Sequence, residues 1–113
     1  MEPVEVPSVP LGDRTRDQFL RGCQAYRQGQ YARALAQFTA VVESEPACAE
    51  AVYNYGLACA NLGNDGLAVQ ALVKASDLYA AQDSKAGLDQ VKQTLAQLAA
   101  QPGQAGAVEQ TRA

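Results

Sequence analysis

The sequence contains no histidine and no tryptophan, and the first absence narrows the chemistry open to it. Histidine is the commonest general base and the commonest metal ligand in enzymes. The chain also carries no Walker loop, no GxGxxG turn and no serine-nucleophile motif. Glu43 and Glu45 are paired carboxylates, but they fall at a predicted helix end, where solvated glutamates are routine. We therefore predict a protein that is not an enzyme, with no catalytic residue, cofactor or metal site.

Long apolar runs are also missing. No segment approaches the roughly 20 apolar residues that a membrane-spanning helix requires. The first seven residues are acidic and interrupted by proline, which is unlike a signal peptide. The three cysteines form no CxxC pair, and an odd number cannot all pair within one chain. A reducing cytoplasm is the predicted location.

The cysteines are too few and too scattered to indicate chemistry. Cys23 and Cys59 fall on predicted helices, where a free cysteine is usually a small buried apolar residue. Cys48 lies between the two copies of the internal repeat described below, and we expect it to be the most accessible of the three cysteines. A redox switch there would need positive charge nearby to lower its pKa, yet its neighbours are Glu45 and Glu50. We prefer the structural interpretation for all three.

The net charge of −3 argues against a generic nucleic-acid binder. The charge is nevertheless uneven, because five arginines lie within residues 14–33, where Asp17 is the one acidic residue. Such a distribution could steer a partner protein or a second copy of the chain. The simpler interpretation is a solvated helix face.

What the sequence does contain is an internal repeat with a spacing of 34 residues. Gly22 recurs as Gly56 and Phe38 recurs as Leu72, and the same spacing relates Gly29 to Gly63 and Ala34 to Ala68. Self-similarity at this period is typical of stacked helical hairpins rather than of one closed globule. The repeat therefore predicts an all-α fold.

Apolar periodicity and glycine punctuation place the helices at about 15–28, 31–43, 49–62, 65–78 and 84–100. Gly29 and Gly63 should end the first helix of each hairpin, in the left-handed conformation that disfavours a Cβ. Gly22 and Gly56 fall inside helices, where glycine costs up to about 1 kcal/mol relative to alanine. That repeated cost predicts a close helix–helix approach at both glycines.

These positions resemble the tetratricopeptide repeat family over about residues 15–82. The first repeat is carried by Gly22, Ala25, Tyr26, Gly29, Tyr31, Ala34, Phe38 and Pro46, and the second by Gly56, Gly63, Ala68, Leu72 and Ala75. Two departures are Gln18, where the family has a large apolar residue, and Ala80, where Pro46 predicts a proline. The resemblance implies a short right-handed α-solenoid of two helix-turn-helix hairpins plus a solvating helix.

Within that architecture the domain should cover residues 14–100. The repeats fall at about 15–48 and 49–82, and a capping helix at about 84–100 hides the last hairpin from water. Gln90 stands where a third repeat would have glycine, so the repeat ends there. We predict disordered tails at 1–13, which contains three prolines, and at 101–113, which is small and polar.

The family lines its concave groove with the first helix of each hairpin, so helical spacing identifies the candidate groove residues. They are Arg16, Phe19, Leu20, Cys23, Tyr26, Arg27, Glu50, Tyr53, Asn54, Leu57 and Asn61. Aromatic rings with hydrogen-bonding asparagines suit an extended or helical peptide. The alternative for Tyr26 and Tyr53 is that they simply pack between neighbouring hairpins.

Some tetratricopeptide co-chaperones hold a terminal carboxylate with a clamp of lysine, arginine and asparagine. The corresponding positions here are Phe19, Cys23, Asn54, Ser84 and Leu88, and of these Asn54 alone fits. A carboxylate needs cationic donors to replace its hydration, so we reject that function.

The predicted function is a protein–protein interaction module, an adaptor or scaffold whose groove binds a peptide segment of a partner. The alternative is a self-associating scaffold, or an assembly or secretion chaperone that shields an apolar client segment. Self-association is suggested because repeat arrays generally need about three units for stability. We predict a protein, a peptide or a second copy as partner, and neither nucleic acid nor membrane. The identity of the partner, and whether the N-terminal tail occupies the groove, are open at this stage.

Overall fold

A computed structural model describes residues 1–100, and all regular secondary structure within them is helical. The helices are α1 (Asp13–Arg27), α2 (Tyr31–Ser44), α3 (Ala49–Asn61), α4 (Asp65–Ala81) and α5 (Lys85–Ala99). Helices α1 and α2 form one hairpin, α3 and α4 form the next, and α5 packs on α4. The predicted all-α solenoid of two hairpins and a closing helix is confirmed. The predicted tail at 101–113 lies outside the described residues.

In each hairpin, a glycine on the first helix makes room for a bulky side chain of the second helix. A Cβ added to Gly22 would lie 2.6 Å from the Phe38 ring, and one added to Gly56 would lie 3.2 Å from Leu72 Cγ. Phe38 and Leu72 are both fully buried. The close approach predicted from the repeated mid-helix glycines is therefore confirmed, and it is tighter in the first hairpin.

The turns follow one pattern, in which a left-handed residue comes two positions after a helix. Gly29 (φ 77°) follows α1 and Gly63 (φ 82°) follows α3, as predicted. Asp83 takes the same place after α4 with φ 54°, a conformation that L side chains rarely adopt. The next helix then starts at a capping side chain: Ser84 Oγ accepts a hydrogen bond from the Gly87 amide at 3.1 Å.

Helix α4 is longer than the repeat predicts. It was expected to end near Leu78, but it runs to Ala81. In the first hairpin α2 ends at Ser44, just before Pro46. Ala80 occupies the place that a second proline would have, and alanine continues a helix readily, so nothing stops α4 there.

Helix α5 closes the array, as the predicted capping helix should. Its inner face carries Val91 and Leu98, both buried, while Lys92 and Gln93 lie on the exposed side. Gly87 lies directly against the buried ring of Tyr79, since a Cβ there would be 2.2 Å from it. A small residue at this point lets α5 sit close to α4.

Residues 1–12 precede α1 without forming a helix, but they are not free of the domain. The sequence predicted a disordered tail at 1–13; in the structure Asp13 already belongs to α1, and the preceding residues lie across α1 and α3. Pro3 and Leu11 are buried there, and several backbone groups are hydrogen-bonded to side chains of the repeats. Composition alone did not reveal this docking. We call residues 1–11 the N-terminal strap.

Candidate peptide-binding groove

The centre of the groove is the side chain of Asn54 on α3. Its Oδ1 accepts a hydrogen bond from the Val4 amide at 2.8 Å, and its Nδ2 donates to the Val4 carbonyl at 2.8 Å. Asn54 is completely buried. A side-chain amide has one acceptor and donors in a plane, so it can pair with both polar groups of one residue. This contact recognises the backbone of Val4 and does not depend on the identity of the Val4 side chain.

One turn earlier on α3, Glu50 holds the strap at Ser8. Glu50 Oε1 accepts hydrogen bonds from the Ser8 amide at 2.9 Å and from the Ser8 hydroxyl at 3.0 Å. The same hydroxyl lies 2.9 Å from Gln82 Oε1. Glu50 is only 4% exposed, and a buried carboxylate needs such donors to offset its lost hydration.

The other end of the groove is formed by the last turns of α1 and α3. The Tyr26 hydroxyl donates to the Met1 carbonyl at 3.2 Å and accepts from Asn61 Nδ2 at 2.8 Å. Arg27 forms an ion pair with Glu5 of the strap. The strap therefore runs from the carboxyl ends of α1 and α3 towards their amino ends, antiparallel to both helices.

Burial also governs ionisation along this surface. Burial, with a smaller contribution from Glu5, raises the pKa of the Cys23 thiol to about 12. Burial raises the pKa of Tyr26 to about 12, although the hydrogen bond from Asn61 partly opposes it. The pKa of Tyr79 is raised as well, first by burial and then by the charge of Glu50. These groups are therefore neutral at physiological pH, and Cys23 faces the strap as a thiol whose Sγ lies 3.7 Å from the Val4 carbonyl.

Comparison with known proteins identifies the family to which the two hairpins belong. Residues 19–83, more than half of the chain, match the family model described as Tetratricopeptide repeat. The chain belongs to the tetratricopeptide repeat family. Searches of curated proteins and of solved structures returned no match. Tetratricopeptide repeats generally mediate protein–protein interactions and are typically non-catalytic.

The structure brings several of the eleven predicted groove residues of this tetratricopeptide domain together around the strap. Those that contact it directly are Cys23, Tyr26, Arg27, Glu50 and Asn54, and Asn61 acts through Tyr26. The direct contacts lie at both ends and at the centre of the groove. All six of these residues lie on α1 and α3, the first helices of the two hairpins; that this surface binds a partner peptide stays a prediction.

Within residues 1–100 the remaining predicted groove residues make no hydrogen bond or ion pair with the strap. Phe19 and Leu57 are buried in the core, and Phe19 packs edge-on against Phe38 at 6.2 Å between ring centroids. Arg16 and Leu20 are exposed on α1. Tyr53 is fully buried and its hydroxyl is hydrogen-bonded by α5, so it packs between elements instead of lining the groove.

Tyr53 is tied to the closing helix by two polar contacts. Its hydroxyl hydrogen-bonds to Thr94 Oγ1 and accepts from Gln90 Nε2 at 3.0 Å. Both partners belong to α5, for which the sequence predicts a capping role but no particular polar contact. The packing alternative is therefore correct for Tyr53, whereas Tyr26 packs and also contacts the strap.

Sequence reasoning missed Gln82 and the strap itself. Gln82 follows α4 because that helix extends past its predicted end, and its Nε2 also donates to the Ala47 carbonyl at 3.1 Å. A proline directly precedes each strap residue whose amide is held, in Pro3-Val4 and Pro7-Ser8, but every residue except proline has a free amide, so this pattern does not predict docking. The prolines predict an extended, mobile tail, because each removes a backbone donor and fixes φ.

The predicted accessibility of Cys48 is wrong. Cys48 is fully buried at the amino end of α3, and burial raises its pKa. Cys48 is the residue directly before α3 and belongs to the buried hydrophobic core, so its place between the repeats does not make it accessible. All three cysteines are free thiols in buried positions.

Beside the strap the groove continues as a cleft of about 230 Å³ towards α5. Its walls include Val4 of the strap and Glu50, Tyr79, Gly87 and Gln90 of the repeats and α5. Within residues 1–100 no group of three histidine, cysteine, aspartate or glutamate side chains is placed to hold a metal ion. None of the helices of this part of the chain is long and apolar enough to cross a membrane.

Proposed function

We propose that this chain is a non-enzymatic protein–protein interaction module whose groove binds a peptide segment of a partner protein. The observation that carries the proposal is the pair of hydrogen bonds between Asn54 and the backbone of Val4. The groove thus has the donors and acceptors that an extended peptide requires, at a depth where they are shielded from water. Main-chain hydrogen bonds supply affinity in this mode of recognition, and neighbouring pockets supply specificity.

The burial of Asn54 and Glu50 supports a binding role over a purely structural one. A buried polar group without a hydrogen-bond partner costs about 1–3 kcal/mol. Within the described residues the amide that donates to the Asn54 oxygen belongs to the strap, and the strap also supplies two donors to the Glu50 carboxylate, the Ser8 amide and the Ser8 hydroxyl. The groove therefore favours any peptide that offers the same groups.

The chemistry of the groove also supports a non-enzymatic role. The chain has no histidine, and the thiol of Cys23 has a raised pKa where a nucleophile would need a lowered one. The positions that correspond to a carboxylate clamp are also unsuited to it. Phe19 and Cys23 are buried, Ser84 caps α5 and Leu88 is apolar, so none of them is a cation. The proposed ligand is therefore an internal peptide segment, not a terminal carboxylate.

The test is peptide binding by the Ser8→Asp protein, whose strap is weakened because the new carboxylate faces Glu50, and by the same protein carrying Asn54→Ala. We expect a labelled library of extended partner peptides to contain binders whose affinity falls by about tenfold when Asn54→Ala is added, because two buried hydrogen bonds to the ligand are lost. Gln93→Ala is the matched control, since it truncates an exposed amide on the outer side of α5. Equal binding by all three proteins would count against the proposal.

A second candidate, a self-associating scaffold or an assembly or secretion chaperone, is favoured by one observation. Helix α4 exposes Val69 and Val73, which are 43% and 49% exposed and lie one turn apart on the same face of the helix. Exposed apolar side chains in one region often mark an interaction surface. Light scattering over a range of concentrations decides this: a monomer at every concentration removes the self-associating alternative. A cytoplasmic location and the exclusion of nucleic acid and membrane partners stay predictions.

A further inference from the structure

We propose that the N-terminal strap is an intramolecular competitor for the groove, and that its contacts define the class of partner. That partner would be an acidic, proline-interrupted peptide that binds in the direction of the strap and displaces it. The inference rests on the proposed function, because a competitor has meaning only if the groove binds a ligand. It adds the regulation of the groove and the chemistry of the ligand.

The first step of the argument is the match between strap and α3. The two strap amides that donate to the groove belong to Val4 and Ser8, four residues apart, and their acceptors Asn54 and Glu50 are also four residues apart. Four residues span about 6 Å of a helix but up to about 13 Å of extended chain. The strap must therefore bow outwards between its two anchors. It does so at Val6, which lies at a bend and is 77% exposed.

The second step concerns the prolines. Val4 and Ser8 each directly follow a proline, Pro3 and Pro7. Because the proline ring fixes φ, the unbound chain has less conformational freedom to lose when the amide of the following residue is hydrogen-bonded. A ligand with the same two prolines four residues apart would present its amides in the same way. The spacing of prolines, and not a run of apolar side chains, is the pattern that this groove favours.

The third step concerns charge. Glu5 of the strap pairs with Arg27, and the two side chains are about half exposed. An exposed ion pair contributes little affinity but selects the sign of the ligand. Ser8, in turn, meets the buried carboxylate of Glu50 with two donors. The ligand should therefore be acidic near the Arg27 end and uncharged, with a donor, at the Glu50 end.

These contacts also make the strap displaceable. It is held by a few hydrogen bonds, one exposed ion pair, the burial of Pro3 and Leu11 and the partial burial of Val4 and Val9. Its advantage over a free peptide is that it is tethered, which raises its effective concentration to the millimolar range for short flexible links. A partner that occupies the groove must overcome that tether. Weakening the strap should therefore strengthen binding of a peptide in trans.

Ser8→Asp is the perturbation that weakens the strap without altering the groove. It places a carboxylate against Glu50 and the Gln82 oxygen, where like charges repel at short range. Val6→Asp is the matched control, because it adds the same charge two residues away on the exposed bend. Both variants keep the repeats intact.

The experiment uses full-length protein and a fluorescent peptide with the sequence of residues 1–11 as the probe. Hydrogen exchange of the Val4 and Ser8 amides reports whether the strap is docked, and fluorescence anisotropy reports binding of the probe. We expect slow exchange and weak binding in the parent and in Val6→Asp. Ser8→Asp should exchange fast and bind the probe about 10–100-fold more tightly, as when an occupant that is present about 90–99% of the time is removed. Adding Asn54→Ala to Ser8→Asp should abolish that gain.

The outcomes separate the inference from the proposed function. If the strap amides of the parent exchange as in a free peptide, and the parent binds the probe as tightly as Ser8→Asp does, the competitor is refuted while peptide binding stands. If Ser8→Asp frees the strap but neither protein binds the probe, both the inference and the proposed peptide groove fail. Tighter binding confined to Ser8→Asp, and lost with Asn54→Ala, supports both.

The acidic preference is tested in the Ser8→Asp protein with a second probe in which the glutamate that corresponds to Glu5 is lysine. We expect this probe to bind about two- to fivefold more weakly, the range of an exposed ion pair. Arg27→Glu should reverse the preference between the two probes. Identical affinity of both probes for both proteins would refute the acidic class of ligand.

Discussion

Replacing Gly22 by alanine should destabilise the protein, whereas the same replacement at Gly66 should stabilise it. Both glycines lie within helices, so alanine gains up to about 1 kcal/mol of helix propensity at each. A Cβ at Gly66 meets nothing within 4 Å. Because Gly66 lies in the first turn of α4, we expect a net gain of about 0.5 kcal/mol there.

At Gly22 the new methyl group has no room. It would lie 2.6, 2.8 and 3.0 Å from three atoms of the Phe38 ring, and that ring is fully buried. Overpacking of this kind costs about 1–3 kcal/mol, which outweighs the propensity gain. We expect Gly22→Ala to lower the free energy of unfolding by about 1–2 kcal/mol. The effect of Gly56→Ala should lie between those of Gly22→Ala and Gly66→Ala, because the added Cβ would lie 3.2 Å from its nearest neighbour, Leu72 Cγ.

The assay is urea unfolding of the three variants and the parent, followed by far-ultraviolet circular dichroism. Unchanged m-values with shifted midpoints would show that stability, and not cooperativity, has changed. In a domain of this size each 1 kcal/mol corresponds to about 4–8 °C in Tm, so thermal unfolding can confirm the order. If Gly22→Ala is as stable as Gly66→Ala, α1 does not pack on α2 as closely as the structure describes.

Three further predictions follow from local features. The pKa of the Cys23 thiol is raised from 9.0 to about 12, so the stability contributed by burying the neutral thiol is fully present below pH 9 and is lost as the pH rises towards 12. Alkaline unfolding of Cys23→Ala should lack this part of the transition, and an unchanged profile would contradict the assignment. Asp83→Gly should raise the free energy of unfolding by about 0.5–1 kcal/mol in urea titration, because glycine accepts a φ of 54° without strain; a loss of stability would show that the aspartate side chain has another role. Tyr53→Phe should cost about 1–2 kcal/mol by leaving two α5 side chains without their buried partner, whereas Tyr31→Phe, whose ring packs on Tyr26, should be near neutral by the same measurement; equal effects would refute the role of the hydroxyl.

The fold was predictable because its determinants are local and repeated. Gly22 with Phe38 and Gly56 with Leu72 sit at equal spacings, and each pair predicts one helix crossing. The face of α3 that carries Asn54, which contacts Val4, follows from the 3.6-residue period of the helix. These inferences need only the sequence of one repeat and its neighbour.

What could not be predicted depends on contacts between distant segments. Tyr53 has the same helical phase as a groove residue, and only the position of α5 shows that its hydroxyl points into the interior. The position of Cys48 between the repeats predicts an accessible thiol, but the residue is fully buried in the hydrophobic core. The docking of Val4 on Asn54 joins residues 50 positions apart, and nothing in the proline-rich composition of the strap announces it.

Tyr26 makes the groove observable without a label. The chain has no tryptophan, so its near-ultraviolet absorbance and intrinsic emission come mainly from its five tyrosines. The phenol of Tyr26 is the one that hydrogen-bonds to the strap, through the Met1 carbonyl. When the strap leaves, water should reach this ring, and its spectrophotometric titration should move from about 12 back towards its ordinary value of 10.0. Difference spectra against Tyr26→Phe would then give the fraction of open grooves directly.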